Sequence, residues 1–102
     1  KNYYSVADHY PDKPVVITEA GWTTRSSGRG IEPWNASQEF QATYYGELLD
    51  WCKEKDILVF VFEAFDEPWK GSPDPHEPEK HWGLFTVDRK PKLVMQELYA
   101  HL

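Results

Sequence analysis

Hydrophobic and polar positions fall into blocks along the chain. Tyr3, Tyr4, Val6 and Ala7 are the apolar members of Asn2–His9, which reads as the end of a helix stopped by Pro11 and Pro14. The β-branched run Val15-Val16-Ile17 predicts a short strand ending at Thr18-Glu19. Gly21 breaks that pattern, and the Ser-, Gly-, Arg- and Pro-rich stretch Thr23–Trp34 predicts a long loop. A helix follows, with Asn35 or Ser37 as its N-cap. Phe40, Tyr44, Leu48, Trp51 and Cys52 form its apolar stripe, with Leu49 alongside. Ile57–Phe62 is apolar without alternation, the pattern of a strand buried on both faces in a parallel sheet covered by helices. A loop punctuated by prolines runs from Asp66 to about Lys92 and holds a short extended piece at Trp82–Val87. The stretch Lys92–Leu102 predicts a last helix, with Val94 or Met95, Leu98 and Leu102 on one face.

The order helix, strand, helix, strand, helix amounts to two β-α units with parallel strands and right-handed crossovers. Two parallel strands leave unpaired N–H and C=O groups on both edges. An eight-stranded barrel of alternating β-α units satisfies them. The predicted fold class is therefore α/β, with residues 1–102 forming the C-terminal part, the last two β-α units, of a (β/α)8 TIM barrel. Alternatively, copies of the chain supply the missing strands to one another by self-association. Lys1 opens the chain without a leader pattern, in keeping with a C-terminal piece of something longer.

Composition narrows the function classes. The 102 residues carry a net charge of −6, which disfavours nucleic acid and anionic membranes as partners, because both recruit basic patches. No apolar run approaches the roughly 20 residues of a membrane span. The single cysteine, Cys52, excludes an internal disulfide and any cysteine-built metal site, and on the apolar stripe it reads as a buried small hydrophobe. His9, His76, His81 and His101 are scattered without metal-ligand spacing, and no cofactor is called for. Aromatic residues reach 16%, and in an acidic chain flat apolar rings point to sugars before bases. Asn35-Ala36-Ser37 fits the N-glycosylation triplet, which has meaning only in a eukaryotic secretory setting.

Each predicted strand ends in carboxylates: Thr18-Glu19-Ala20-Gly21-Trp22 after the first, and Glu63-Ala64-Phe65-Asp66-Glu67-Pro68-Trp69-Lys70 after the second. Functional groups of α/β barrels sit at the C-terminal ends of strands, and neighbouring strands lie about 4.8 Å apart. Glu19 and the cluster Glu63, Asp66 and Glu67 are thus expected on one rim, interleaved with Trp22, Phe62, Phe65 and Trp69. Carboxylates act as acid, base or nucleophile at an anomeric carbon, and rings stack on sugar faces. Taken alone, Glu19 is equally a strand-end carboxylate facing a helix N-terminus, Trp69 and Trp82 are equally loop anchors, and Lys70 is an i,i+3 partner for Glu67.

These segments resemble glycoside hydrolase family 17, the β-1,3-glucanases and related glucanosyltransferases. Val15–Trp22 is similar to that family's nucleophile segment, Phe62–Lys70 to its eighth-strand segment, and His81-Trp82-Gly83-Leu84-Phe85 with Asp88-Arg89-Lys90-Pro91-Lys92 to its closing segment. The matches stand in the right order and span most of the chain. The resemblance implies a barrel whose seventh strand delivers Glu19 as a retaining nucleophile, with Glu67 and Lys70 flanking the cleft. Trp22, Glu63 and Trp69 are implied to line glucose subsites, and the implied partner is a β-glucan polysaccharide or oligosaccharide. Family enzymes take their general acid from a Glu after strand four, and no segment here matches it. Glu67 is a poor substitute, since Lys70 favours its ionised form. A polymeric substrate implies a secreted, periplasmic or cell-envelope location.

Three alternatives accompany this expectation. A transglycosylase differs from a hydrolase only in using a sugar hydroxyl in place of water. An inactive barrel fragment would bind glucan weakly or self-assemble. A sugar-binding module is disfavoured, because such modules are usually β-sandwiches of alternating strands, unlike Ile57–Phe62.

Overall fold

Helix α1 (Asn2–Ala7) and strand β1 (Ile17–Ala20) are separated by the turn that carries Pro11 and Pro14. A 3-10 turn (Pro33–Asn35), helix α2 (Gln38–Lys55), strand β2 (Val59–Val61), a second 3-10 turn (Pro78–Lys80) and helix α3 (Leu93–Leu98) follow. The computed structural model describes residues 2–98. Leu102 and His101 lie outside the described residues.

Ser37 is the N-cap of α2: its hydroxyl accepts from the Phe40 N–H at 3.0 Å. Glu39 in the first turn and Lys53 and Lys55 in the last complement the helix dipole. The helix ends at Asp56, which takes the left-handed conformation at φ 55°. The chain then turns back into β2, which pairs with β1 in parallel. Such pairing needs a crossover of a dozen or more residues, and α2 supplies it.

The pairing is irregular where it bears on function. Ile17 sits opposite Val59 and Ala20 opposite Val61, so three steps along β1 match two along β2. Strict alternation would put Ile17 and Glu19 on one face. The register shift instead leaves Ile17 and Ala20 half-buried while Thr18 and Glu19 are both exposed. The strand also begins two residues later than the β-branched run predicts.

The core lies between α2 and α3. Ala42, Tyr45 and Val94 are its buried centre, with Tyr44, Leu48, Leu84, Leu93 and Met95 packed around them. Helix α1 joins through Tyr3 and Tyr4, whose rings meet Trp51 of α2 edge-on at 5.4 and 5.9 Å. Cys52 is buried.

Two expectations need correction here. The expected stripe of α2 holds only in part: Cys52 is buried and Tyr44 and Leu48 pack against the core, but Phe40 is exposed. The fully buried positions are Gln41, Ala42, Tyr45 and Cys52. The cause is polar. The Gln41 amide donates to the Trp22 and Gly83 carbonyls at 3.0 and 3.1 Å. The Tyr45 hydroxyl donates to the Ala20 and Phe62 carbonyls at 3.3 and 3.1 Å. Carbonyls left open at the strand ends need donors, and Gln41 and Tyr45, four residues apart, provide them. The run Ile57–Phe62 is not buried on both faces either: Leu58 is 58% exposed and Phe60 55%. The two strands and three helices among the described residues cover only part of it.

Beyond β2 the chain bends at Phe62 and Ala64 and pairs again only through isolated bridges. Phe65 bridges Phe85, and Phe85 bridges Pro91. The Leu84 and Phe85 N–H groups donate to the Ala64 carbonyl at 3.0 and 2.8 Å, so the predicted extended piece is tied to the end of β2.

Candidate active site

Glu19 stands at the register shift of β1 and opens onto a cavity of about 460 Å³ lined also by Ala20, Gly21, Tyr44, Phe62, Glu79 and Trp82. Three aromatic rings and a second carboxylate therefore share the cavity with it. Gly21 lets the walls close. A Cβ at that position would run into the Phe62 carbonyl oxygen and would lie 2.9 Å from the Trp82 ring. Trp82 in turn meets Phe62 edge-on at 6.1 Å. Burial pushes the Tyr44 hydroxyl above its usual range, opposed by its hydrogen bond to the Gly21 backbone.

Glu63, Glu67 and Trp69 line a neighbouring cavity of about 270 Å³ with Ala64, Phe65, Asp66, Val87 and Arg89. The peptide between Phe62 and Glu63 is the divide: Phe62 walls the Glu19 cavity and Glu63 walls this one. Lys70 spans them. Its Nζ pairs with Glu67 Oε2, lies 3.7 Å from Glu63 Oε2 and sits 4.8 Å above the Phe62 ring. Trp69 is 73% exposed, a ring available for stacking.

One ammonium cannot neutralise two carboxylates. Burial, and next the hydrogen bond and charge of Glu67, push the Glu63 carboxyl up to about 7. Glu67 is held below the usual carboxylate range by its hydrogen bonds to Glu63 and Lys70. Lys70 is raised, chiefly by Glu67. The two carboxyls are thus pushed in opposite directions, Glu63 toward its protonated form and Glu67 toward its ionised one.

Not every predicted residue faces these cavities. Trp22 turns toward α2, where its Nε1–H donates to the Asn35 carbonyl at 2.9 Å and its ring lies 5.2 Å from Tyr44. Asp66, expected on the rim, borders the smaller cavity but is buried, and its carboxylate is taken up by protein partners. Its Oδ1 accepts from Lys92 Nζ at 2.7 Å and from the Gly83 N–H at 2.9 Å. Burial raises its pKa, but His81, Lys92 and Gly83 outweigh that and hold the carboxyl low.

Glu79 is the residue that sequence reasoning missed. It is one acid among several in a proline-rich loop, and the one signal beside it is the His81–Phe85 closing segment that begins two residues later. Glu79 reaches the Glu19 cavity because three hydrogen bonds join its loop to the one after Glu19. Thr23 Oγ1 donates to the Pro78 carbonyl at 2.9 Å, and the Thr24 N–H and Oγ1 donate to the His81 carbonyl at 3.0 and 3.2 Å.

Among the described residues no three His, Cys, Asp or Glu side chains converge as metal ligands. No helix there is long and apolar enough to cross a membrane. What the rim offers is a solvent-facing carboxylate beside aromatic rings, a neighbouring pair of carboxyls shifted in opposite directions, and one cation beside that pair.

Known proteins share this arrangement of chain. The sequence model described as "Glycosyl hydrolases family 17" matches residues 7–96. A glucan 1,3-beta-glucosidase of Arthroderma benhamiae is 38% identical over 86 residues, covering 76% of this chain and 26% of that protein. An endo-laminarinase from Formosa superposes with a TM-score of 0.84 at 37% identity, covering 97% of this chain and 27% of its own. A β-1,3-glucanosyltransferase from Rhizomucor miehei superposes at 0.74 with 32% identity, covering 90% of this chain and 32% of its own. The chain thus spans about a quarter to a third of these relatives, and it corresponds to the C-terminal part of their TIM barrel.

Proposed function

The chain belongs to glycosyl hydrolases family 17, and on that footing we propose that it is the nucleophile-bearing, C-terminal segment of a retaining enzyme acting on β-1,3-glucan. Glu19 attacks C1 of a β-linked glucosyl unit through an oxocarbenium-like transition state. The leaving oxygen takes its proton from a general acid on a barrel segment outside this chain. The glucosyl-enzyme then passes to water. Lys70 and Glu67 hold hydroxyl groups and set the charge beside Glu19, while Glu63 and Trp69 contribute to glucose subsites; Trp22, turned toward α2, supports the cavity wall through Tyr44. Glucan enters as a polymer, which fits action outside the cytoplasm or at the cell envelope.

The observation that carries this reading is the exposure of Glu19 at the register shift, facing Phe62, Tyr44 and Trp82 across one cavity. A surface carboxylate of structural purpose would have a cationic or N–H partner. Glu19 has no such partner among the described hydrogen bonds and ion pairs, which suits a nucleophile.

The test is Glu19→Gln in the complete enzyme. Turnover of a soluble β-1,3-glucan should fall by about three orders of magnitude or more, with folding and oligosaccharide binding retained. Hydrolysis at the original rate would remove Glu19 from the role.

Transfer to a sugar acceptor is the second reading, favoured by the likeness to a protein described as a β-1,3-glucanosyltransferase. Products longer than the substrate, formed from laminari-oligosaccharides, would select it. The uncovered Leu58 and Phe60 favour a sheet completed by further strands. Light scattering on the isolated chain separates supply by other copies of this chain, which gives an oligomer, from supply by the rest of a longer one.

A further inference from the structure

Lys92 lines neither cavity that holds a candidate carboxylate, yet its ammonium connects the loops that form both. It is 2% exposed, so its three N–H donors depend on protein acceptors. Nζ donates to Asp66 Oδ1 at 2.7 Å, to Thr24 Oγ1 at 2.9 Å and to the His81 carbonyl at 3.3 Å. Each acceptor belongs to a segment that matters. Thr24 follows Glu19 by five residues, Asp66 immediately precedes Glu67, and His81 is two residues beyond Glu79. The Lys92 backbone is itself held, its N–H donating to the Leu84 carbonyl at 3.0 Å.

We infer that Lys92, paired with Asp66, is a positioning residue that clamps the loop after Glu19 against the loop presenting Glu67, Lys70 and Glu79. The inference rests on the reading of Glu19 as nucleophile. The clamp explains why Asp66 turns away from the rim: its carboxylate neutralises the buried ammonium and takes the Gly83 N–H as well. It also explains how Glu79, sixty residues from Glu19 in the chain, comes to line the same cavity. A buried ion pair contributes little stability beyond well-packed apolar replacements. Its value here is the fixed geometry of its three contacts, and small displacements of groups at a reacting centre carry large rate penalties.

The test separates geometry from stability. Removing Lys92 alone would strand a buried carboxylate, so the informative variant is Asp66→Asn with Lys92→Met. It preserves volume and an acceptor for Gly83 while deleting the clamp. In the complete enzyme its melting temperature should stay within about 4 °C of the parent. Its kcat on soluble β-1,3-glucan should fall about tenfold or more, with KM changed less than about threefold. Thr24→Val removes one arm together with the Thr24 Oγ1 bond to the His81 carbonyl at 3.2 Å, the acceptor that Lys92 also holds, and should lower kcat by about threefold, and Thr24→Ser should restore it, since the hydroxyl is what the clamp uses. Parental kcat in both the double variant and Thr24→Val overturns the inference. Should the double variant fail to fold, parental kcat in Thr24→Val overturns it alone, and loss with rescue by Thr24→Ser upholds it. Glu19→Gln assayed in parallel distinguishes the two readings. If it is inactive while the clamp variants are parental, only the clamp falls. If it turns over normally, the nucleophile reading falls and the clamp with it.

Discussion

The backbone of Gly21 lies directly against the carbonyl oxygen of Phe62, with no room for even a methyl group between them. This approach brings the end of β1 onto the end of β2 and lets Trp82 close the wall of the Glu19 cavity. Gly21→Ala should therefore destabilise the protein by about 2–3 kcal/mol, because overpacking against backbone has no flexible group to yield. Urea denaturation monitored by tryptophan fluorescence measures the cost, and a loss of less than about 0.5 kcal/mol would show the contact to be loose.

The Glu63–Glu67–Lys70 group predicts a specific pH dependence. Glu63 titrates at about 7 in the folded chain against an ordinary value of 4.5, so the folded state keeps a proton that the unfolded state releases between those limits. The stability it contributes is full below about pH 4.5 and is lost as pH rises through about 7. Glu67 acts oppositely: its lowered pKa supplies stability above the ordinary carboxylate range, lost as pH falls. Glu63→Gln should abolish the decline toward pH 7, a difference on the order of 1–2 kcal/mol. Melting temperature against pH, for parent and variant, reads it. Parallel curves would disprove the raised pKa of Glu63.

Gln41 is fully buried and bonds two loop carbonyls. Gln41→Ala leaves both carbonyls without that donor and opens space at the junction of the two loops. A loss of about 2–3 kcal/mol is expected. Gln41→Glu should cost more at neutral pH than at pH 4, because a carboxylate facing two carbonyls is repelled until it is protonated. Denaturation midpoints at the two pH values test both statements.

Ser37→Ala should cost about 1 kcal/mol through loss of the α2 cap, and Ser37→Asp should cost close to nothing, since aspartate caps as well and favours the helix N-terminus. Equal destabilisation by the two changes would mean that the hydrogen bond from the Phe40 N–H to the Ser37 hydroxyl is not what holds the first turn.

Local chemistry determined much of this protein from its sequence: the alternation of helices and strands, a helix cap at Asn35 or Ser37, the buried Cys52, the Glu67–Lys70 pair and the carboxylates at the strand ends. Each depends on neighbours a few residues away, where spacing and backbone preference carry the information. The tertiary structure alone decided that Gln41 and Tyr45 rather than Phe40 face inward, that Trp22 packs toward α2, that Asp66 turns from the rim to Lys92, and that Glu79 reaches the Glu19 cavity. Those outcomes turn on open carbonyls and a buried ammonium tens of residues distant, and polar groups removed from water take whichever partner the fold brings within hydrogen-bond reach. A pattern of apolar and polar letters holds no record of where those partners will be.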